Sequence, residues 1–159
     1  MLEHRPPGIA GLCFVDLFAG CGAIGLEALS RGAAKLVAVE ADRAVAAALR
    51  RNLAKLGEGE RARLLIGDAT RLPKALEQAH MVYLDPPYES GLAASALESL
   101  VAGGWLAKGA VVIVELAGRE GFTAPSGLVV TDERRYGAGR IVLLEAALTL
   151  DSKAEQRHS

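Results

Sequence analysis

A chain of 159 residues, 51% hydrophobic and 23% charged, is sized and composed for one folded domain and is not that of a disordered protein. No apolar run reaches the roughly 18 to 20 residues that span a bilayer, and the start lacks the basic and apolar blocks of a signal peptide, so a soluble, cytoplasmic protein is expected. Eighteen Lys plus Arg against nineteen Asp plus Glu leave a net charge of -1, so any contact with nucleic acid must be local.

The first apolar run, residues 12–18, reads as a buried strand closed by Ala19 and Gly20, with a helix over 23–30 and a second strand over 35–39 behind it. In 42–56, Val45, Leu49, Leu53 and Leu56 recur at helical spacing while Arg43, Arg50 and Arg51 lie off that stripe, and Gly57 stands where the helix should end. A strand at 63–66, a helix over 70–78, a strand at 81–84, a helix over 92–101 and a strand at 111–115 continue the alternation. Apolar strands separated by helices predict an α/β fold of Rossmann-like, doubly wound type: a mostly parallel sheet with helices on both faces, since parallel neighbours need crossovers. Residues 128–136 and 140–148 are strand-like and separated only by Gly137, Ala138 and Gly139, which predicts an antiparallel C-terminal hairpin. One domain is expected over 1–150, followed by a polar tail at 151–159 with nothing to bury.

In open sheets of this kind ligands bind beyond the carboxyl ends of the strands, where strand order switches. The first strand runs into Asp16-Leu17-Phe18-Ala19-Gly20-Cys21-Gly22-Ala23-Ile24-Gly25, a literal G-x-G-x-x-G opening a helix. Gly20 and Gly22 permit a tight turn and close ligand approach, and Gly25 permits close packing of helix on strand. Asp16 would repel a pyrophosphate, so a cationic ligand fits this loop better than a dinucleotide. Glu40, ending the second strand, can accept ribose hydroxyls. Asp68, after the third, can accept from an adenine amine, with Leu65 or Ala69 against the ring. Alone, Glu40 could be a helix-start charge and Asp68 an N-cap. Together the three acids describe a pocket for an adenosine whose far end carries an ammonium and a sulfonium.

The fourth strand ends in Asp85-Pro86-Pro87-Tyr88. Two prolines cannot extend a ladder, so they fix the chain's exit. The Asp85 carboxylate and the Pro86 carbonyl can accept both hydrogens of an exocyclic amine, directing its lone pair at an electrophile, and Tyr88 offers a face for an extruded base. Cys13 and Cys21 lack zinc spacing, and His4, His80 and His158 have no partner at ligand spacing, so no metal is expected. Cys21 is not a nucleophile of the ring-methylating kind, which needs a Pro-Cys pair at the fourth strand end. Trp105 reads as a packing anchor and the Arg134-Arg135 pair as a solvated edge.

These motifs, in this order, resemble those of class I S-adenosylmethionine-dependent methyltransferases that act on amines. The stretch from Asp16 to Gly32 is similar to the bacterial 16S ribosomal RNA guanine-N2 methyltransferases, and the likeness extends to about Leu148. It implies a seven-stranded sheet with the last strand antiparallel. Asp16, Gly20 and Gly22 then hold the methionine end of S-adenosylmethionine, Glu40 the ribose, and Asp68 and Ala69 the adenine. Phe18, Ala19, Gly25 and Ala41 belong to the same cofactor-binding set, and Asp85, Pro86, Pro87 and Tyr88 are the catalytic group. The expected partner is 16S ribosomal RNA or the assembling small subunit, with no membrane and a monomeric protein. Cys21 stands where that family usually has Ser, and Tyr88 where Phe is common. Members also carry an amino-terminal arm and a helix before the first strand. This chain begins about where that helix would end, Met1 resembles an internal methionine, and much of the RNA grip and part of the cofactor lid are expected to be missing. If the grip is in the body, Arg31, Arg134, Arg135 and Arg140 are its candidates.

Three other functions remain open at this point. The Asp-Pro-Pro-Tyr end reads an amine and not a base, so an adenine N6 of DNA or RNA would serve. An arm-less domain could bind the cofactor without methylating. A nicotinamide oxidoreductase could use the literal G-x-G-x-x-G, although Asp16 speaks against it.

Overall fold

β1 (Cys13–Leu17) is buried at all five positions, which a strand achieves only inside a sheet covered on both faces. The structure, a computed structural model, describes residues 8–88 and 90–147. The expected tail at 151–159 and the chain start at 1–7 lie outside them. β2 (Lys35–Glu40) flanks β1 on one side and β4 (Ala79–Leu84) on the other, both in parallel. β3 (Ala62–Ile66), β5 (Leu106–Ala117), β6 (Leu128–Tyr136) and β7 (Gly139–Ala146) complete a seven-stranded sheet in the order β3-β2-β1-β4-β5-β7-β6. β7 pairs antiparallel with both β5 and β6, across the two-residue turn Gly137-Ala138. Strand order reverses between β1 and β4, so the crevice for a ligand opens over their carboxyl ends.

The alternation of β1 sorts its side chains onto two cores. Val15 and Leu17 join Val82, Leu84 and Val112 under α3 (Leu92–Ala102), whose Ala93, Ala96, Leu97 and Leu100 face the sheet. Phe14 joins Leu36, Met81 and Ile113 under α1 (Ala23–Ser30) and α2 (Arg43–Lys55), which contribute Ala28, Leu29, Leu49 and Leu53. Asp16 alternates onto this second face. Asp42 caps α2, its Oδ1 accepting from the N–H groups of Ala44 (2.9 Å) and Val45 (3.1 Å). Trp105 is the packing anchor expected: it is 1% exposed, and its indole N–H donates to the Pro73 carbonyl at 2.8 Å. No helix among the described residues is long and apolar enough to cross a membrane.

One expected element is absent. Residues 70–78 form turns and extended chain where a helix was predicted. Pro73 lacks an N–H and disfavours helical φ/ψ at Leu72, and the freed backbone groups bond elsewhere. The Leu72 N–H donates to Ser99 Oγ (2.7 Å) and the Ala75 N–H to the Gly103 carbonyl (3.0 Å), lashing this crossover to the end of α3.

The glycine loop rests on a tight contact. Gly22 has φ +92°, and a Cβ there would collide with Cδ1 of the fully buried Leu49. Gly22→Ala combines left-handed strain of about 1 to 2 kcal/mol with overpacking of about 1 to 3 kcal/mol, so a loss of about 2 to 5 kcal/mol is expected in urea unfolding. An unchanged midpoint would place α2 farther from the loop.

Candidate active site

β1 ends at Leu17, and the chain turns at Phe18, the non-glycine residue with a left-handed φ of +59°. Such strain persists only where surrounding bonds enforce it. Here the Ala19 N–H donates to the Val39 carbonyl (3.0 Å) and the Gly22 N–H to the Ala19 carbonyl (3.0 Å). Glu40 then ties two strand ends together: Oε1 accepts from the Gly20 N–H (2.8 Å) and Oε2 from the Asp42 N–H (2.8 Å). A carboxylate oxygen has two acceptor sites, so each keeps one for a ligand. A Cβ added at Gly20 would meet nothing within 4 Å, which leaves open space over the loop. Gly25 behaves differently: a Cβ there would come 2.8 Å from Leu36 Cδ2, so its bareness serves helix packing.

Beneath this loop Asp16 is 2% exposed, and its Oδ2 is buried with no hydrogen-bond partner. Burial pushes its carboxyl up to about 7; the Gly25 N–H pulls it down, and the carboxylates of Asp85 and Glu40 add to the rise. An orphaned buried carboxylate oxygen costs about 1 to 3 kcal/mol or more unless a donor reaches it. A ligand bearing an ammonium and a sulfonium supplies the missing charge, so the donor set fits S-adenosylmethionine.

Asp68 lies exposed beyond β3. Its Oδ1 accepts from the Thr70 N–H (2.8 Å) and hydroxyl (2.7 Å), and these bonds hold its carboxyl below the usual range. It caps no helix, because none follows, and Oδ2 is left to a ligand. Ala69 is 3% exposed, its methyl committed to the core, so half-buried Leu65 is the apolar side chain nearer to hand for a ring. Ala41 is exposed beside Glu40.

Asp85 is the first residue past β4, whose Leu84 pairs with Leu17 of β1 and Val114 of β5. Asp85 is exposed as a residue, but partial desolvation of its carboxyl, then the Glu115 carboxylate, raises that carboxyl above the usual range. Pro86 is buried, Pro87 and Tyr88 are exposed, and the Tyr88 hydroxyl reaches the Ala138 carbonyl at 3.4 Å. A cavity of about 330 Å³ lies between this turn and the C-terminal hairpin, lined also by Glu115, Glu120, Tyr136 and Gly139.

Glu115 and Tyr136 are site residues that sequence reasoning missed. The strand-end rule, applied to the strand expected at 111–115, points to Glu115, although β5 runs on to Ala117; Tyr136 enters through the register of a hairpin, for which the sequence carries no local signal. Conversely, Arg140 is not available for an RNA grip: it is 7% exposed, 2.9 Å from Glu133 and bonded to the Gly118 carbonyl. Arg31 pairs with Glu27 and Arg134 with Asp132, while Arg135 donates to Gly118. His80 accepts from the Cys13 N–H at 3.1 Å, and Cys21 is exposed.

Glu40→Ala removes both loop bonds and a ligand acceptor. Calorimetry is expected to show S-adenosylhomocysteine affinity reduced by about 1 to 3 kcal/mol. Unchanged affinity would move the nucleoside away from β2.

A mostly parallel seven-stranded sheet with one reversed strand, carrying acids at the ends of β1, β2 and β3, has the architecture of a class I S-adenosylmethionine-dependent methyltransferase. The fold recurs in such an enzyme from Mesorhizobium loti, at 12% identity and TM-score 0.71 over 91% of this chain and 95% of that one. Residues 1–145 match the family described as Conserved hypothetical protein 95, and the chain belongs to that family. It is 38% identical over 133 residues to ribosomal RNA small subunit methyltransferase D of Escherichia coli K12, covering 82% of this chain and 67% of that protein. The Haemophilus influenzae protein of the same name is 33% identical over 127 residues, covering 77% and 66%. The solved Escherichia coli protein YhhF superposes with TM-score 0.80 and 35% identity over 89% of this chain and 80% of that one. The chain thus spans about two thirds of the length of these curated relatives.

Proposed function

We propose that this chain methylates the exocyclic N2 amine of a guanine in small-subunit ribosomal RNA, using S-adenosylmethionine. The observation that carries this is the Asp85-Pro86 pair at the mouth of the cavity, one strand from the orphaned carboxyl of Asp16. The relatives named for small-subunit RNA supply the substrate class.

When bound, S-adenosylmethionine supplies an electrophilic methyl group on a sulfonium that departs as a neutral thioether. The chain's own work is positioning. Asp16 would face the cationic end, Glu40 the ribose hydroxyls and Asp68 the adenine amine. Asp85 and the Pro86 carbonyl would each accept one N–H of the target amine, which turns its lone pair out of conjugation with the ring. Pro87 stiffens the exit and Tyr88 stacks on the base. After transfer the nitrogen must lose a proton, and Asp85, with its carboxyl raised by partial desolvation and Glu115, is suited to take it at Oδ. The methyltransferase relatives and the buried acid at position 16 speak against the nicotinamide reading.

Incubation with tritiated S-adenosylmethionine and unmethylated small-subunit RNA, assembled small subunits or DNA tests the assignment. Label is expected on RNA or subunits. Label on DNA alone would overturn it.

A further inference from the structure

We propose that Glu115 reads the N1–H of the target guanine, and so makes this a site for guanine rather than for any exocyclic amine. This rests on the guanine reading above and adds the residue that selects the base. Val114 pairs with Leu84, so Glu115 lies one step on, level with Asp85, and both line the same cavity. Tyr83, two residues before Asp85 on β4, pairs with Ile113, two before Glu115 on β5, so the alternation of the two strands puts Asp85 and Glu115 on the same face of the sheet. The cavity lining places Asp85, Glu115 and Glu120 together and includes no Lys or Arg. Adjacent carboxylates without a cation repel each other, and a ligand presenting neighbouring N–H groups relieves that repulsion.

Two aromatic rings line the same cavity. Tyr88 is 66% exposed, with its hydroxyl 3.4 Å from the Ala138 carbonyl of the hairpin turn. The Tyr136 ring lies over Gly139, where an added Cβ would come 3.1 Å from its Cζ. Among the four standard bases, guanine alone carries an N–H next to its exocyclic amine. Adenine and cytosine have a ring-nitrogen lone pair there, which a carboxylate repels. With Asp85 and Pro86 on the two N2 hydrogens, the N1–H is the remaining donor on that edge, and Glu115 is the acceptor level with Asp85. A site built to bond an N–H strongly rejects the analogue without it.

The test first maps, by mass spectrometry of nuclease fragments, the guanosine of small-subunit RNA that the wild-type chain methylates. Synthetic RNA spanning it then carries guanine or 2-aminopurine there; the latter keeps the amine and replaces N1–H by a lone pair. Single-turnover rates should favour guanine by at least about a hundredfold in the wild type, on the way to the roughly ten-thousandfold that such sites reach. In Glu115→Gln, whose amide can donate to that lone pair, the ratio should fall to about a fifth of the wild-type value or less. A ratio cancels general damage to the fold, which a merely structural role would produce. A smaller fall overturns the role of Glu115 while the function stands. Failure to find any methylated guanosine overturns the function itself, and Glu115's role with it.

Discussion

Asp85→Ala is expected to slow methyl transfer by more than about a hundredfold while S-adenosylhomocysteine affinity stays within a few-fold. Asp85 stands past the end of β4 and lines the cavity between the Asp-Pro-Pro-Tyr turn and the hairpin, where the proposed mechanism puts the incoming amine. Glu40, bonded to the Gly20 loop, lies on the far side of β1 and is untouched by the change. Without the carboxylate, an amine hydrogen has no acceptor and the lone pair stays in conjugation with the ring. Single-turnover rates and calorimetry on the same variant separate the two effects. A residual rate above about a tenth would mean that Asp85 contributes less than about 1.4 kcal/mol, and the orienting mechanism would fail.

Asp16 gives a pH dependence of definite sign. Its carboxyl is raised from 3.8 to about 7 in the ligand-free fold, chiefly by burial. A raised acid contributes stability that is fully present below 3.8 and is lost as pH rises through about 7. Between those limits the ligand-free protein should lose up to about 1.4 kcal/mol per pH unit from this group. Asp16→Asn should flatten that loss and be the more stable protein at pH values above about 7. Ligand binding reverses the preference, because an ammonium and a sulfonium favour the ionised form. S-adenosylmethionine affinity should therefore weaken by up to about tenfold per unit as pH falls below 7, and Asp16→Asn should bind weakly with little pH dependence. Wild-type affinity that is flat from about pH 5.5 to 7 would contradict this charge assignment.

The parts of the molecule legible in the sequence are those set by local pattern. β1 and β2 are buried on both faces and read as near-continuous apolar runs, and the stripe of Leu49 and Leu53 marks α2. The turn at Gly137-Ala138 announces its hairpin. At 70–78 apolar spacing outweighed Pro73, and bonds to Ser99 and Gly103, far along the chain, decide the outcome. Arg140 looks like surface in isolation, but β7 is interior, between β5 and β6, and Glu133 takes its charge. The cavity is the least legible part. Glu115 meets Asp85 through the pairing of β4 with β5, and Tyr136 reaches Gly139 through that of β6 with β7. Neither contact has a signature along the chain.

Methyl transfer to guanine N2 in small-subunit RNA is read out by the identity of the methylated nucleoside. Unmethylated small-subunit RNA, incubated with the chain and S-adenosylmethionine bearing a deuterated methyl group, is digested to nucleosides and analysed by mass spectrometry. Deuterated N2-methylguanosine is expected, and it should be absent with Asp85→Ala. Deuterium in N6-methyladenosine, with none in N2-methylguanosine, would contradict the guanine assignment.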